Sequence, residues 1–522
     1  MSTPELRGGR GLILAAMILA VAMTFIDQTI VSIAAPRIQD ELGLSSTGLQ
    51  WAVNAYLLTM AAFFAFGGRL ADTVGARRMV IIGIVVFAFA SLMAGFTPAG
   101  HLAEAWLVGF RALQGLGGAL MYPAALAIVV SSTDQAHRGR ALALFFGIAG
   151  GLTAVGPMVG GFLTQWTWRS IFWINVPVAI AALALLAMTA VTNDRRPARM
   201  DYRGLVLITS GVALVVFGLQ QTARWGWSDA RTIGCVVVGA VLLVAFVLVE
   251  LRTAEPLMNV RIFENRGFRF DNLVLLAAMV VFVPIFFFAS MYGQIALGEN
   301  ASTASLMLLY YFLGFVTAAQ IGGRMLDRVG ARRPIVIGSV LAAVALHLWA
   351  NAVTTLSLGH QVAYIVLAGA GMGMLLGQAN TDALNRAPET AYGEATGITQ
   401  TIRNFGASLG LAILGTVLVT QFRNHLYTSL IALGAPPAQA HQQAATISQL
   451  GQQSGSAKIP PFVQQDFAHA TSSVLMFMSW VMVGAAVVAF IGLTHSARRE
   501  DTTRRSGLVR IPRRQKTAPT SP

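Results

Sequence analysis

The sequence predicts an all-α polytopic membrane protein of fourteen transmembrane helices: two six-helix pseudo-repeat halves with two further helices inserted between them. Three observations predict it. Charged residues are 11% of the 522-residue chain and mean hydropathy is +0.65, whereas soluble proteins carry roughly 25% charged residues. Apolar runs of about 20 residues, enough to cross roughly 30 Å of hydrocarbon as helix, recur along the whole chain. The stretch 67–78, GGRLADTVGARR, returns as GGRMLDRVGARR at 322–333, an offset of 255 residues, so the chain is a duplication.

The apolar runs lie at 12–33, 51–70, 79–97, 105–130, 140–164, 171–191, 204–222, 233–250, 272–293, 304–324, 335–355, 361–382, 397–420 and 473–495. Arginine and lysine gather in cytoplasmic loops, and an even number of spans puts both termini on one side. With the N-terminus inside, only Arg37, Arg169, Arg224, Arg231, Arg423 and Lys458 of the 36 basic residues fall in outer loops, and Arg111 and Arg403 fall within spans. All the others lie on the inner side, so both termini are expected in the cytoplasm. The organisation that follows is an N-terminal six-helix half (1–192), a linker with two inserted helices (193–270), a C-terminal six-helix half (271–496) and a basic tail (497–522). The inserted helices carry no motif that assigns them a role. Within the C-terminal half, the outer loop 421–471 is rich in Gln and Ala, with four prolines before Phe462. It is too polar to enter lipid, and reads either as a partly helical cap or as an unstructured loop.

Charge and motif content exclude several functions. The net charge of +14 is accounted for by inner loops and by the basic tail at 498–516, where anionic headgroups attract polybasic segments, so no nucleic-acid partner is expected. The first apolar run is too long for a signal-peptide core, and thirteen more follow it. Cys235 is the single cysteine and excludes a disulfide within one chain. None of the eight histidines begins a H-E-x-x-H motif, and neither Lys458 nor Lys516 follows a glycine, so no metal site and no phosphate-binding loop is predicted. Gly369, Gly371 and Gly373 lie inside an apolar run without a preceding strand, where small residues serve helix packing rather than dinucleotide binding. The chain reads as a secondary transporter, not an enzyme, with no cofactor beyond a proton gradient. Scarce lysine with abundant Ala and Gly fits a GC-rich bacterial genome, hence a bacterial inner (cytoplasmic) membrane protein. No feature of the sequence fixes an oligomeric state.

Two ionisable residues inside the spans carry a functional hypothesis, because a charge in hydrocarbon costs from about 2.5 kcal/mol upward. Asp27 lies about 15 residues, roughly 22 Å, above the inner end of span one, and Arg111 about six residues, roughly 9 Å, below the outer end of span four. Across a core of about 30 Å both reach the same depth and are expected to pair. Burial favours a neutral acid and a neighbouring arginine favours the carboxylate, so relative movement of the two would load or release a proton. The alternative is a static ion pair that orients two helices. The 255-residue offset maps Asp27 and Arg111 onto Phe282 and Val366, both apolar. Coupling is therefore expected in the N-terminal half. Tyr292, Gln294, Tyr310, Tyr311 and His347 in the C-terminal half, with Gln114 in the other, are candidates to face a substrate cavity; an interfacial aromatic belt is the alternative for the aromatic ones.

In the duplicated loop, Gly68 and Gly75 permit a tight inner turn, Arg77 and Arg78 sit at the lipid boundary, and Asp72 is an acidic exception. Asp327, Arg332 and Arg333 are their copies. In span five, Gly147, Gly150, Gly151, Gly156, Gly160 and Gly161 leave a nearly bare face for close backbone approach, and Pro157 removes one helical hydrogen bond. Ordinary small-residue packing is the alternative there. Leu152 interrupts the glycine spacing, and span thirteen, the offset partner, has Gly406 and Gly410 but no proline.

These residues together resemble the major facilitator superfamily. The duplicated loop resembles that family's signature loop, and Arg111 with Gly109, Gln114 and Gly115 resembles its fourth-helix motif. Gly156, Pro157, Gly160 and Gly161 resemble the fifth-helix motif of its antiporters, and Asp27, Gln28, Thr29 and Pro36 the first-helix motif of its drug:proton antiporters. Fourteen spans point to the 14-helix drug:proton antiporter branch, with the likeness covering spans one to thirteen. The resemblance implies the major facilitator fold and alternating access. It also implies an inner gate held by Asp72 and the basic residues near it, and a fifth helix that seals against leak. Expected partners are protons, the lipid bilayer and a small-molecule lipophilic or amphipathic drug or antibiotic, aromatic or cationic compounds included. An exporter of a dedicated lipid or metabolite, or a non-transporting scaffold or sensor, are the other readings. The membrane potential supplies about 2.3 kcal/mol per charge per 100 mV, enough for roughly a 50-fold gradient of a neutral substrate per proton.

Overall fold

The computed structural model describes residues 5–133, 145, 152, 156, 159–189, 201–386, 392–450 and 459–493. The N-terminal helices are α1 (Glu5–Leu42), α2 (Ser46–Val74), α3 (Ala76–Gly95) and α4 (Ala103–Ser131). Helix α5 is described at Phe145, Leu152, Gly156 and 159–164, and α6 spans Ser170–Ala187. The inserted pair is α7 (Tyr202–Trp225) and α8 (Ala230–Glu250). The C-terminal helices are α9 (Arg266–Ile295), α10 (Ala301–Val329), α11 (Arg332–Ala352), α12 (Leu358–Asn385), α13 (Tyr392–Ala432), the short α14 (Pro437–Leu450) and α15 (Pro461–Gly492). Thirteen helices among the described residues are long and apolar enough to cross a membrane, and each coincides with one of the sequence-predicted spans. The remaining span, the fifth, falls largely outside the described residues.

Side chains that compete with the backbone start the helices. Ser45, Asp201, Asp229, Asn265 and Asn300 each accept a hydrogen bond from an amide in the first turn of α2, α7, α8, α9 and α10, respectively. Glycine stops them: Gly75 (φ 107°) separates α2 from α3, and Gly330 (φ 77°) separates α10 from α11, a backbone region that other residues rarely adopt. Here the structure corrects one sequence expectation. Gly68 lies inside α2 and takes no part in the turn, which Gly75 makes alone because the helix continues to Val74.

The duplication is visible in the packing. α2 and α3 both pack on α4, as α10 and α11 both pack on α12. Gly115 of α4 lies against the Tyr56 carbonyl, and Gly369 of α12 lies against the carbonyl of Tyr311, which is the 255-residue counterpart of Tyr56. Gly83 and its counterpart Gly338 likewise let α3 and α11 close onto α4 and α12. Without Cβ atoms at these sites, backbones approach closely, which suits lipid, where water gives helices no hydrophobic reason to associate.

Two boundaries differ from the sequence reading. α1 continues past Pro36 to Leu42, since one missing amide costs a single hydrogen bond when neighbouring helices hold the turn. α13 runs to Ala432, with no helix breaker until Gly434 (φ 89°). Helix α14 then folds back onto α13 with Ala440 and Ala444 fully buried one turn apart. The described part of the loop 421–471 is thus helical on both sides of residues 451–458, which lie outside the described residues.

Of the inserted helices, α8 is peripheral, with Val237, Val238, Val241 and Val244 at least half exposed. α7 sits on the seam between the halves, against α2 and α13. Asn54 of α2 donates to Gln220 of α7 (2.9 Å) and accepts from Ser408 of α13, while Thr222 of α7 donates to Thr416 of α13 (2.9 Å). An Asn54→Leu substitution strands both partners, at about 1–3 kcal/mol. The expected result is a lower thermal midpoint in detergent, read by scanning fluorimetry against Val238→Ala on the exposed face of α8.

The halves meet at the end away from the arginine-rich loops, where Gln294 of α9 donates to the Ile33 carbonyl of α1 (3.1 Å). Toward the arginine-rich end, Ala65 and Phe66 of α2 pack on the apolar cluster that includes Ala383 and Leu384 of α12 and Ala395 and Ile398 of α13.

Candidate transport site

Asp27 on α1 and Arg111 on α4 are 0% and 1% exposed and form an ion pair in the middle of the N-terminal half. Arg111 also donates from Nη1 to Gln114 Oε1 (2.7 Å) and from Nε to the Ala52 carbonyl of α2 (3.0 Å). Gln114 Nε2 donates to the other Asp27 oxygen (2.9 Å). The Arg111 guanidinium stacks over the Tyr56 ring, 4.6 Å from its centroid, and Tyr56 in turn donates to the Thr24 carbonyl (3.0 Å). Every charged group in the cluster therefore has a partner, the condition under which a buried pair is tolerated. Gln114, expected in a substrate cavity, instead bridges the pair: it lies one turn beyond Arg111 on α4, and its amide donates to the carboxylate while accepting from the guanidinium.

The glycines of α5 approach this cluster from behind. A Cβ at Gly156 would meet Thr29 Oγ1 and the Ile26 carbonyl, and one at Gly160 would meet the Ile30 side chain, so α5 lies along the turn of α1 that presents Asp27. Gly406 and Gly410 of α13 make the same approach to α9, at the carbonyls of Leu276 and Val280. Gly161 is helical in α5, and Pro157 lies outside the described residues. Substituting Gly156→Leu places a side chain where the α1 backbone already sits. The expected cost is about 1–3 kcal/mol, with transport falling to the level of empty vesicles because α1 can no longer seat Asp27 against Arg111. Initial transport rates normalised to folded protein check this.

The duplicated loops lie at the arginine-rich end. Asp72, Arg78, Asp327 and Arg333 are exposed, Arg77 and Arg332 half-buried, and the Arg332 guanidinium stacks over Phe490 at 4.6 Å. In the same region Arg69 pairs with Glu255 (3.0 Å), joining α2 to the segment after α8.

The residues expected to line a cavity in the C-terminal half fare differently. Tyr292 is fully buried, its hydroxyl donating to the Val353 carbonyl (2.7 Å) and accepting from Gln361 (2.8 Å), which makes it a tie between α9 and its own half. Gln294 bridges the halves at the end away from the arginine-rich loops. Tyr311 is buried among Phe282, Phe286 and Phe312, and Tyr310 is half-buried beside it. His347 is exposed on α11, next to Val344 and Leu348, which face outward like lipid-facing residues. The structure does not bring these five together.

It does assemble a second buried charge cluster. Asp271 of α9 pairs with Arg386, just past α12, at 3.2 Å, and Arg386 pairs with Asp382 one turn earlier at 2.7 Å. The positions opposite Asp27 and Arg111 are apolar as expected, yet the C-terminal half holds its own acid and base near the arginine-rich end. The i,i+4 spacing of Asp382 and Arg386 at the end of a span was the available signal. Among the described residues no group of three or more His, Cys, Asp or Glu side chains could hold a metal ion.

Two duplicated helical halves with a buried acid and arginine between spans are the architecture of a membrane transporter. Residues 17–411 match the family model of the Major Facilitator Superfamily, and the chain belongs to that family. It is 32% identical over 419 residues to the tetracenomycin C resistance and export protein of Streptomyces glaucescens, covering 80% of this chain and 77% of that one. It is 34% identical over 420 residues to the puromycin resistance protein pur8 of Streptomyces alboniger, covering 78% and 81%. Among solved structures, an auto-inhibited POT family peptide transporter matches with a TM-score of 0.61 over 93% of this chain and 98% of that one, at 15% identity. The xylose transporter XylE from E. coli matches with 0.59 over 94% and 99%, at 12% identity, a likeness of fold.

Proposed function

We propose that the chain is a proton-coupled antiporter that exports lipophilic or amphipathic drugs or antibiotics by alternating access, in a bacterial cytoplasmic membrane with both termini inside. The observation that carries this reading is the buried Asp27, Arg111 and Gln114 cluster, a carboxyl shielded from water whose cation partner sits on a different helix. When α1 and α4 shift relative to each other, the ion pair loosens and the acid takes a proton; when they close, the arginine displaces it. The glycine face of α5 lets α1 slide without losing contact. Asp72 and Asp327, with the arginines that follow them, are assigned to the inner gate, which fits their exposed positions at the arginine-rich end. The printed names of the relatives, which describe antibiotic resistance and export, support the substrate class. The experiment is accumulation of ethidium, puromycin and N-phenyl-1-naphthylamine in a drug-sensitive bacterial host. Expression of the chain should lower accumulation of at least one of them, and a protonophore should restore it. Equal accumulation with and without the chain for every compound would contradict the proposal.

A further inference from the structure

Among the described residues, Arg403 is a half-buried arginine inside a span that no carboxylate neutralises. Arg111 has Asp27, Arg386 has Asp271 and Asp382, and Arg169 has Glu41. Arg403, about three turns into α13 from its inner end, has no carboxylate within ion-pair distance among the described side chains, and its Nε is sealed from solvent with no hydrogen-bond acceptor. Its helix face looks across the seam. One turn before it Gln400 donates to the Tyr122 hydroxyl of α4 (2.9 Å), and the next residue, Asn404, accepts from Gln28 of α1 (3.5 Å). Residues three apart share a helix face, so Tyr122 lies on the side of α13 that carries Arg403. Tyr122 is itself ringed by Phe64 (5.2 Å), Phe25 (5.7 Å) and Phe145 (6.2 Å between ring centroids).

A cation at this depth without a counter-ion is expensive, and a protein keeps one where a mobile anion supplies the missing charge. The surroundings favour donors: five guanidinium N–H groups and the Tyr122 hydroxyl hydrogen, beside an aromatic wall. We infer that Arg403 is a specificity-determining residue that binds the anionic group of an aromatic amphipath, a carboxylate, sulfonate or acidic phenol, with its ring body against Phe25, the ring of this aromatic group that is partly accessible. This rests on the export reading above and narrows its substrate class. Asp27 contributes no opposing field, because Arg111 already neutralises it. Charge movement follows: a proton inward and a monoanion outward transfer two charges per cycle, a neutral substrate one and a monocation none. Export of anions is then the most strongly driven by an inside-negative potential.

The test uses purified full-length chain in proteoliposomes under an imposed pH gradient. The probes are 8-anilinonaphthalene-1-sulfonate and its uncharged counterpart N-phenyl-1-naphthylamine, which share one ring skeleton. For the native chain the sulfonate should be transported, and faster when the potential is imposed. In Arg403→Gln the ratio of sulfonate rate to neutral rate should fall about 30-fold, and Arg403→Lys should recover part of it. A monodisperse elution profile establishes folding for each variant, and Arg403→Lys serves alone if the glutamine variant aggregates. A ratio that does not change in the folded variants, or a native chain that moves the neutral probe and not the sulfonate, overturns the inference and leaves drug export standing. If the native chain moves neither probe nor ethidium, the export reading itself falls, and this inference with it.

Discussion

Asp27→Asn is expected to reduce substrate-driven proton flux to that of empty vesicles while the variant still folds and still exchanges substrate down its gradient. Asparagine keeps the shape of the side chain, and its one oxygen can still accept from Arg111, while its NH2 replaces the oxygen that Gln114 addresses, so the frame loses one of its two bonds. What the variant also loses is the ability to carry a proton between the two sides. A coupled antiporter stripped of its proton site becomes an exchanger: counterflow persists and uphill transport does not. Both rates are read on the same vesicles, one with preloaded substrate and one with a pH gradient. Uphill export that persists in the variant would leave Asp27 and Arg111 as an orienting ion pair and place coupling elsewhere, with the Asp271, Asp382 and Arg386 cluster the next candidate.

Arg111→Leu is expected to destabilise the folded protein by about 3–5 kcal/mol, because it abandons a carboxylate in a site that excludes water. The loss is larger than that of any surface pair; Arg69 with Glu255, where the glutamate is half exposed, should matter by no more than about 1 kcal/mol. Adding Asp27→Asn to Arg111→Leu removes the stranded charge and should recover most of the stability without recovering coupling. The double-mutant cycle separates the two roles of the pair, since stability returns and proton flux does not. Thermal unfolding in detergent gives the first quantity and vesicle flux the second.

The architecture was legible in the sequence because the bilayer imposes lengths and the duplication imposes a register. An offset of 255 residues predicts where equal packing recurs, and Tyr56 with Tyr311, and Gly83 with Gly338, occupy matching contacts. Depth along a helix was enough to bring Asp27 to Arg111, since rise per residue and membrane thickness are both fixed. Polar side chains inside spans were harder to place. Gln114 sits in the ion-pair cluster and Tyr292 ties down its own half, while the sequence offers both the same reading as cavity residues. His347 is a polar residue in a span, but which face it occupies depends on the neighbours α11 packs against. Tyr56 gave no sign of its stacking on Arg111, because an aromatic ring in a span is ordinary. Arg403 was visible by the same rule that singled out Arg111, yet with no acid at matching depth its meaning came only from the structure. Gly68 shows the limit of turn reading: a glycine seven residues before the turn serves the helix, and the φ of 107° belongs to Gly75.

The inserted helices extend this point. Composition placed them in the membrane and nothing more. The structure puts α7 on the seam between α2 and α13, hydrogen-bonded through Gln220 and Thr222 to both halves. A helix so placed moves with the seam, so its tether should influence the rate of alternation more than substrate affinity.

The most direct test of the central claim follows protons and substrate together in vesicles containing only the purified chain, without ATP, under an imposed pH gradient. A proton-coupled antiporter will accumulate substrate against its gradient, release protons in the opposite direction only when substrate is present, and stop when the pH gradient is dissipated. Substrate accumulation that is indifferent to the pH gradient, or proton flux that does not depend on substrate, would contradict the account.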